Sequence, residues 1–180
     1  MRDPLTGLLN RGAFDNLVRT LHARSQGIAP RGLALLMVDI DRFKQVNDRF
    51  GHLEGDKVIC AVASALQATV RGSDYACRFG GEEFAVLLPD IDPAAAFLVA
   101  ERMRQRATQE CTAQGLIGSA WPLTISVGLA VAPCEASTAE ALIALADRRL
   151  YQAKRSGRDR VSTGSFVPLP PGCAITSQPA

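Results

Sequence analysis

The sequence predicts a mixed α/β (α+β) fold, a central mixed β-sheet with helices packed on it in a ferredoxin-like plan. Three features carry that expectation. Leu33–Val38 is a short, uninterrupted apolar run, which reads as a strand buried on both faces. Tyr75–Phe79 and Glu83–Leu88 are strand-like runs separated only by Gly80-Gly81-Glu82, a tight hairpin that forces antiparallel pairing. Stretches of helical period fill the intervals, so a simple β–α alternation and its all-parallel sheet are excluded.

Taken in chain order, Asn10 caps a first helix on which Phe14, Leu17, Val18 and Leu21 share a face, and Gly27, Pro30 and Gly32 end it. The apolar strand stops at Asp39-Ile40-Asp41, with Asp41 at the cap position of a short helix, Arg42–Phe50. On that helix Phe43, Val46, Asn47 and Phe50 are spaced to share a face, and Gly51 stops it. A second amphipathic helix is expected from about Gly55 to Val70, with Val58, Val62, Ala65 and Leu66 inward. Arg71-Gly72-Ser73-Asp74 is a turn into the hairpin. Asp92-Pro93 opens a long helix to about Ala113, Leu123–Val131 is a strand, and Ser137-Thr138-Ala139-Glu140 is a capping box for a helix bearing Leu142, Leu145, Ala146 and Leu150. Gly157 ends that helix and Arg158–Thr163 supplies an edge strand. The domain therefore spans 1–163. From Ser162 onward the chain has no charge and four of its ten prolines, so 164–180 is expected to be an extended, disordered tail.

At 180 residues, 47% hydrophobic and 21% charged, the chain has the composition of one folded domain. A net charge of +2 is too near balance for a general polyanion binder, which argues against nucleic acid as a partner. No apolar stretch approaches the roughly 18 residues needed to cross a bilayer, and the first residues lack a secretory layout, so a soluble, cytoplasmic protein is expected. Cys60, Cys77, Cys111, Cys134 and Cys173 are odd in number and scattered, which is neither a disulfide framework nor a zinc site; burial is the expected role of Cys60 and Cys77.

Two acidic groups sit at chain reversals: Asp39-Ile40-Asp41 at the mouth of the buried strand, and Gly80-Gly81-Glu82-Glu83-Phe84 at the hairpin tip. If those strands are neighbours, three or four carboxylates converge and repel one another. A hard divalent cation relieves the conflict, and carboxylates with a backbone carbonyl suit Mg²⁺. Two adjacent glycines let a ligand lie against the backbone, and a helix starting near Arg42 offers free N–H groups at Phe43 and Lys44 to phosphate. Lys154 and Arg158 are four apart and could share a helical face.

At Gly80–Phe84 the chain resembles the diguanylate cyclase family, named for its GGDEF signature, in the GGEEF variant. The agreement extends in order from about Asp3 to Val161. It takes in the opening motif Asp3–Arg11, the nucleotide-binding segment Asp39–Asp48 with Gly51–Asp56, the strand Thr124–Gly128 and the helix Ala146–Lys154. The resemblance implies a fold similar to the palm of nucleotidyl cyclases. It implies joining of two GTP molecules into cyclic di-GMP with release of two pyrophosphates, using Mg²⁺ or Mn²⁺, two per GTP site. By resemblance, Asp39, the Ile40 carbonyl, Glu82 and Glu83 hold the metals, and Glu82, with Glu83 and Asp39, is catalytic. Whether Glu82 acts as a base or only as a ligand stays open.

Further roles follow from the same resemblance. Lys44, Lys154 and Arg158 correspond to phosphate-binding cations, with Gly80 and Gly81 lying against the nucleotide. Asp56 accepts from the N1–H and 2-amino group of guanine, Asn47 adds an amide contact, and His52 shapes the same segment; His22 is structural or exposed. Arg71 and Asp74 fit the family's R-x-x-D inhibitory site, with Arg102 as its secondary arginine, so feedback inhibition by cyclic di-GMP is expected. Each domain of the family binds one GTP, so the working unit is a transient head-to-tail homodimer. The chain opens almost at the family's first motif, which leads to an expectation of weak basal activity rising faster than linearly with concentration. The rivals are a nucleotide-binding domain without turnover, which degenerate carboxylates would favour, and a receiver-like acidic pocket, which the hairpin disfavours.

Overall fold

Strand β1 (Leu33–Ile40) runs through the middle of the molecule and every one of its eight residues is buried. Its two faces serve two cores. Ala34, Leu36, Val38 and Ile40 pack against one helical layer, and Leu33, Leu35 and Met37 against the other. That period of two is what an apolar run must adopt when both faces of a sheet are covered. In a computed structural model that describes residues 1–26, 32–116 and 122–163, the remaining elements are arranged around this strand.

The chain runs α1 (Arg11–Ser25), β1, α2 (Phe43–Phe50), α3 (His52–Gln67), β2 (Tyr75–Arg78), β3 (Glu83–Pro89), α4 (Pro93–Ala113), β4 (Ile125–Ala132), α5 (Ala139–Arg155) and β5 (Val161–Ser162). The sheet order is β2-β3-β1-β4-β5, antiparallel except for the short parallel pairing of β5 with β4. This is the expected mixed, ferredoxin-like sheet with its hairpin. Helices α2, α3 and α4 share the core on one face, and α1 and α5 the core on the other.

Caps and glycines account for most boundaries. Asn10 accepts from the Ala13 N–H at 3.0 Å, and Asp92 from Ala95 at 2.9 Å with Pro93 in the first turn, as the sequence suggests. Helix α3 starts at His52, not near Gly55, because Gly51 at φ 85° ends α2 and opens α3 in one residue. Gly55 lies inside the helix for a packing reason: a Cβ there would stand 2.0 Å from Asn47 Oδ1. The expected box at Ser137 is displaced by one residue, since Thr138 is the cap and accepts from Ala141 at 3.0 Å.

Phe50, expected to share a face of α2 with Phe43 and Val46, is exposed, while those two are buried. Cys60 is only half-buried, whereas Cys77 is buried and its thiol is pushed up to about 12 by desolvation. His22 is buried, with Nε2 3.3 Å from the Ala136 carbonyl. The expected 164–180 tail, Cys173, Gly27 and Pro30 lie outside the described residues. No described helix is long and apolar enough to cross a membrane.

Candidate active site

Antiparallel pairing of β1 with β3 sets Asp39 opposite Glu83, and the Ile40 N–H donates to the Glu82 carbonyl at 3.3 Å. The acidic strand end and the hairpin tip are thus neighbours, as the sequence requires for a shared site. The Glu83 carbonyl accepts from the N–H groups of Phe79 at 2.8 Å and Gly80 at 3.1 Å, which closes the tip. A Cβ on Gly80 would lie 2.7 Å from Glu83 Oε2, so a side chain there would displace the Glu83 carboxylate, whereas Gly81 faces open space. Glu82 and Glu83 are half-buried.

Asp39 is the most deeply placed of these carboxylates, and Lys154 Nζ on α5 lies 2.7 Å from its Oδ2. Burial raises the Asp39 pKa to about 6. The hydrogen bond and charge of Lys154 work against that shift, while the charges of Glu82 and Glu83 add to it. The electrostatic conflict expected from clustered acids is therefore present, and an ammonium partly answers it. Among the described residues no three acidic, histidine or cysteine side chains are grouped closely enough to hold a metal as they stand. The donor chemistry at this end of the sheet fits a hard cation nonetheless: a buried carboxylate, two more whose charges it feels, and the backbone of Ile40.

Asp41 does not cap α2. The cap position is Arg42, in a left-handed conformation (φ 58°) and without a side-chain cap bond. Asp41 is buried and accepts from Thr124 Oγ1 at 2.8 Å, Ser126 Oγ at 2.7 Å and the Asp159 N–H at 3.0 Å. At the head of α2, the first N–H groups, those of Phe43 and Lys44, have no intrahelical acceptor; Phe43 is buried and Lys44 is exposed. Arg158 is not on a helical face with Lys154, because α5 ends at Arg155 and Gly157 turns the chain at φ 115°. The Arg158 N–H then donates to the Ala153 carbonyl at 3.0 Å, a helix-ending bond that leaves its side chain exposed beyond the helix.

Asn47 lies against Gly55, and its Oδ1 is buried without a hydrogen-bond partner among the described residues. Such an atom is costly to leave unpaired. Asp56, one residue beyond Gly55, and His52 are exposed on the same helix. Arg71, Asp74 and Arg102 gather elsewhere, around one turn. Asp74 is buried and accepts from the Arg71 N–H at 2.9 Å, with guanidinium contacts at 3.3 Å, while Arg102 donates to the Thr69 carbonyl at 3.2 Å. Strand β2, four residues and so about 13 Å long, links this turn to the hairpin tip.

Arg78 is a site residue that sequence reasoning passed over. It donates to the Gly81 carbonyl at 2.8 Å and to that of Gly80 at 3.2 Å, and pairs with Asp3 at 3.1 Å, so it ties the chain's opening motif to the hairpin tip. A lone basic residue closing a buried strand beside two glycines was the available signal.

The diguanylate cyclase GGDEF-domain family model matches residues 1–160. This chain is a member of that family. It is 40% identical over 163 residues to the response regulator PleD of Caulobacter vibrioides, covering 88% of this chain and 35% of that protein. It is 41% identical over 162 residues to the diguanylate cyclase DgcP of Pseudomonas aeruginosa, covering 89% of this chain and 23% of that protein. The coiled coil and GGDEF domain of DgcB from Caulobacter crescentus, solved in complex with c-di-GMP, superposes with a TM-score of 0.79 at 31% identity, over 89% of this chain and 84% of that one. The GGDEF chain thus spans well under half the length of the curated relatives named here, and its mixed sheet is the fold of the family's solved domains.

Proposed function

We propose that this domain is a diguanylate cyclase, condensing two GTP molecules into cyclic di-GMP and releasing two pyrophosphates. One observation carries the reading: the register that sets Asp39 opposite Glu83 and bonds Ile40 to Glu82 joins the two acidic motifs at one sheet end. In the reaction the 3′-oxygen of one GTP bonds to the α-phosphorus of the other while the bond to pyrophosphate breaks. Asp39, Glu82, Glu83 and the Ile40 carbonyl would hold Mg²⁺ or Mn²⁺, two ions per site. A cation so held stabilises charge on both the attacking and the departing oxygen.

The protein's own groups do the rest. Glu82 stands at the tip, where it can take the 3′-hydroxyl proton or hold the cation. The N–H groups of Phe43 and Lys44, with the Lys44, Lys154 and Arg158 side chains, grip the triphosphate. With its charge on Asp39 taken over by a held cation, Lys154 would be free to pair with phosphate instead. Asn47 and Asp56 pair with the guanine edge, His52 shapes that segment, and Gly80 and Gly81 admit the nucleotide against the backbone. Two domains, each carrying one GTP, face each other to complete the ring, and Arg71, Asp74 and Arg102 bind product and hold it inhibited.

Incubation with GTP and Mg²⁺ followed by nucleotide separation tests the reading. Cyclic di-GMP should appear and should vanish in Glu82→Gln. Tight GTP binding without turnover, even after forced dimerisation, would instead identify a receptor.

A further inference from the structure

The turn after α5 is held in an uncommon shape. Gly157, Arg158 and Asp159 take φ values of 115°, 64° and 47°, so two residues with side chains follow a glycine through the left-handed region. Arg has no intrinsic preference for that conformation and Asp only a modest one, so the surroundings hold the pair in it. Three attachments do so. The Arg158 N–H bonds back to α5 at Ala153, the Asp159 side chain pairs with Arg104 on α4, and the Asp159 N–H donates to Asp41.

The third attachment differs in kind. The first ends on a backbone carbonyl of α5 and the second on the half-buried Arg104 side chain, but Asp41 is a buried carboxylate, 5% exposed, itself fixed by two hydroxyls of β4 and its lead-in, Thr124 and Ser126. Its two oxygens accept three hydrogen bonds, so the carboxylate is a rigid post between the end of β1 and the turn. Asp41 and Arg158 line the same cavity of about 360 Å³, with Arg42, Thr124, Gly157 and Asp159. Asp41 follows directly on Ile40, and the post is therefore referenced to the catalytic end of the sheet.

We infer that Asp41 is a positioning residue for triphosphate binding: through the Asp159 backbone it fixes the left-handed turn that presents Arg158 to the phosphates. This rests on the reading of Arg158 as a phosphate ligand given above. It assigns Asp41 no contact with substrate.

The test pairs a structural with a binding measurement. In nucleotide-free protein, amide exchange of residues 158–160 should quicken in Asp41→Asn. Binding of a GTP analogue blocked at the α-phosphate, and of GMP, is then measured in wild type, Asp41→Asn, Arg158→Ala and the double variant. Each single change should weaken triphosphate binding about five- to tenfold and leave GMP nearly unaffected, and the double should be no weaker than Arg158→Ala alone. Unchanged exchange, a normal analogue affinity in Asp41→Asn, or losses that multiply in the double variant would each overturn the proposal while leaving Arg158 in its role. A normal affinity in Arg158→Ala would overturn the phosphate reading and the proposal together. Should Asp41→Asn not fold, Thr124→Val removes one hydroxyl from the same carboxylate at a half-buried position. It should give a smaller loss with the same non-additivity, and an additive loss would count against the proposal.

Discussion

Lys154 Nζ stands 2.7 Å from Asp39 Oδ2, so the residue matched to a phosphate ligand rests on the carboxylate matched to a metal ligand. An ammonium there competes with any cation for the same oxygen. Lys154→Met keeps the stem and removes the charge. In the absence of nucleotide at pH 8, Mn²⁺ should bind several-fold more tightly to this variant than to wild type. Its KM for GTP should rise by about tenfold, because a charge-assisted phosphate contact is gone. Metal titration and steady-state kinetics on the same preparations measure both, and movement of the two in the same direction would refute the competition.

Asp39 also predicts a pH dependence of stability. Its folded pKa, about 6, lies above the ordinary 3.8, so between those values the folded state holds more protons than the unfolded chain. Stability from this group is fully present below about pH 3.8 and is lost as pH rises through 6. The ceiling is about 3 kcal/mol, from 1.36 kcal/mol per pH unit. Asp39→Asn should therefore melt higher than wild type at pH 8 in metal-free buffer, with the difference shrinking toward pH 4, and should have no cyclase activity. Thermal melts across that range check the sign.

Arg78 makes a second kind of prediction, about the hairpin tip. Its guanidinium serves two glycine carbonyls and Asp3, with both side chains of the ion pair mostly buried. Asp3 is held below the usual carboxylate range by hydrogen bonds from Thr6 and by Arg78, against an opposing push from burial. Arg78→Ala should destabilise the fold by about 1–3 kcal/mol and lower kcat by more than stability alone explains, since Glu82 loses its fixed tip. Urea denaturation beside kcat at saturating GTP separates the two.

The sheet and most helix spans were legible because they depend on local signals. The Leu33–Val38 run, the glycines between two strand-like runs and the Asp92-Pro93 start are each read within a few residues. What escaped was set by distant partners. Asp41 reads as a cap from its neighbours, yet its donors lie 83, 85 and 118 residues away. The shared face of Lys154 and Arg158 failed for a local reason instead: Gly157, itself legible as the end of the helix, lies between them and turns the chain. Gly55 looks like a helix boundary by propensity and is a helix interior by packing, because α2 crosses against it. The carboxylate motifs were found in sequence, but the ion pair on Asp39 required the fold.

At the R-x-x-D turn the two side chains differ in freedom. Asp74 is buried and caps the turn, whereas the Arg71 side chain is 56% exposed. Arg71→Ala should relieve inhibition by cyclic di-GMP at least about tenfold and leave turnover of freshly added GTP unchanged. Asp74→Ala should relieve it too but also destabilise the protein, since it strips the Arg71 N–H of its acceptor. Initial rates against added cyclic di-GMP, with melts of both variants, discriminate; an unchanged inhibition constant in Arg71→Ala would remove the inhibitory site from this turn.

Gly55 bears on base selection. A methyl group there would meet Asn47 Oδ1 at 2.0 Å and the Phe43 ring at 3.1 Å. Backbone does not block it, so the fold survives by moving the amide, and the proposed Asn47 contact with guanine is what the movement would sacrifice. Gly55→Ala should raise the KM for GTP by about tenfold, the size of one hydrogen bond to a buried polar group, and lower GTP binding relative to ITP, which lacks the 2-amino group. Because Asp56 sits on the outer side of the same helix, its proposed contacts with N1–H and one hydrogen of the 2-amino group persist, Asn47 taking the other, and discrimination against ATP should change less. Competition binding with GTP, ITP and ATP reads these ratios. A variant that weakens all three nucleotides equally would mean that Asn47 orders the α2–α3 corner without reading the base.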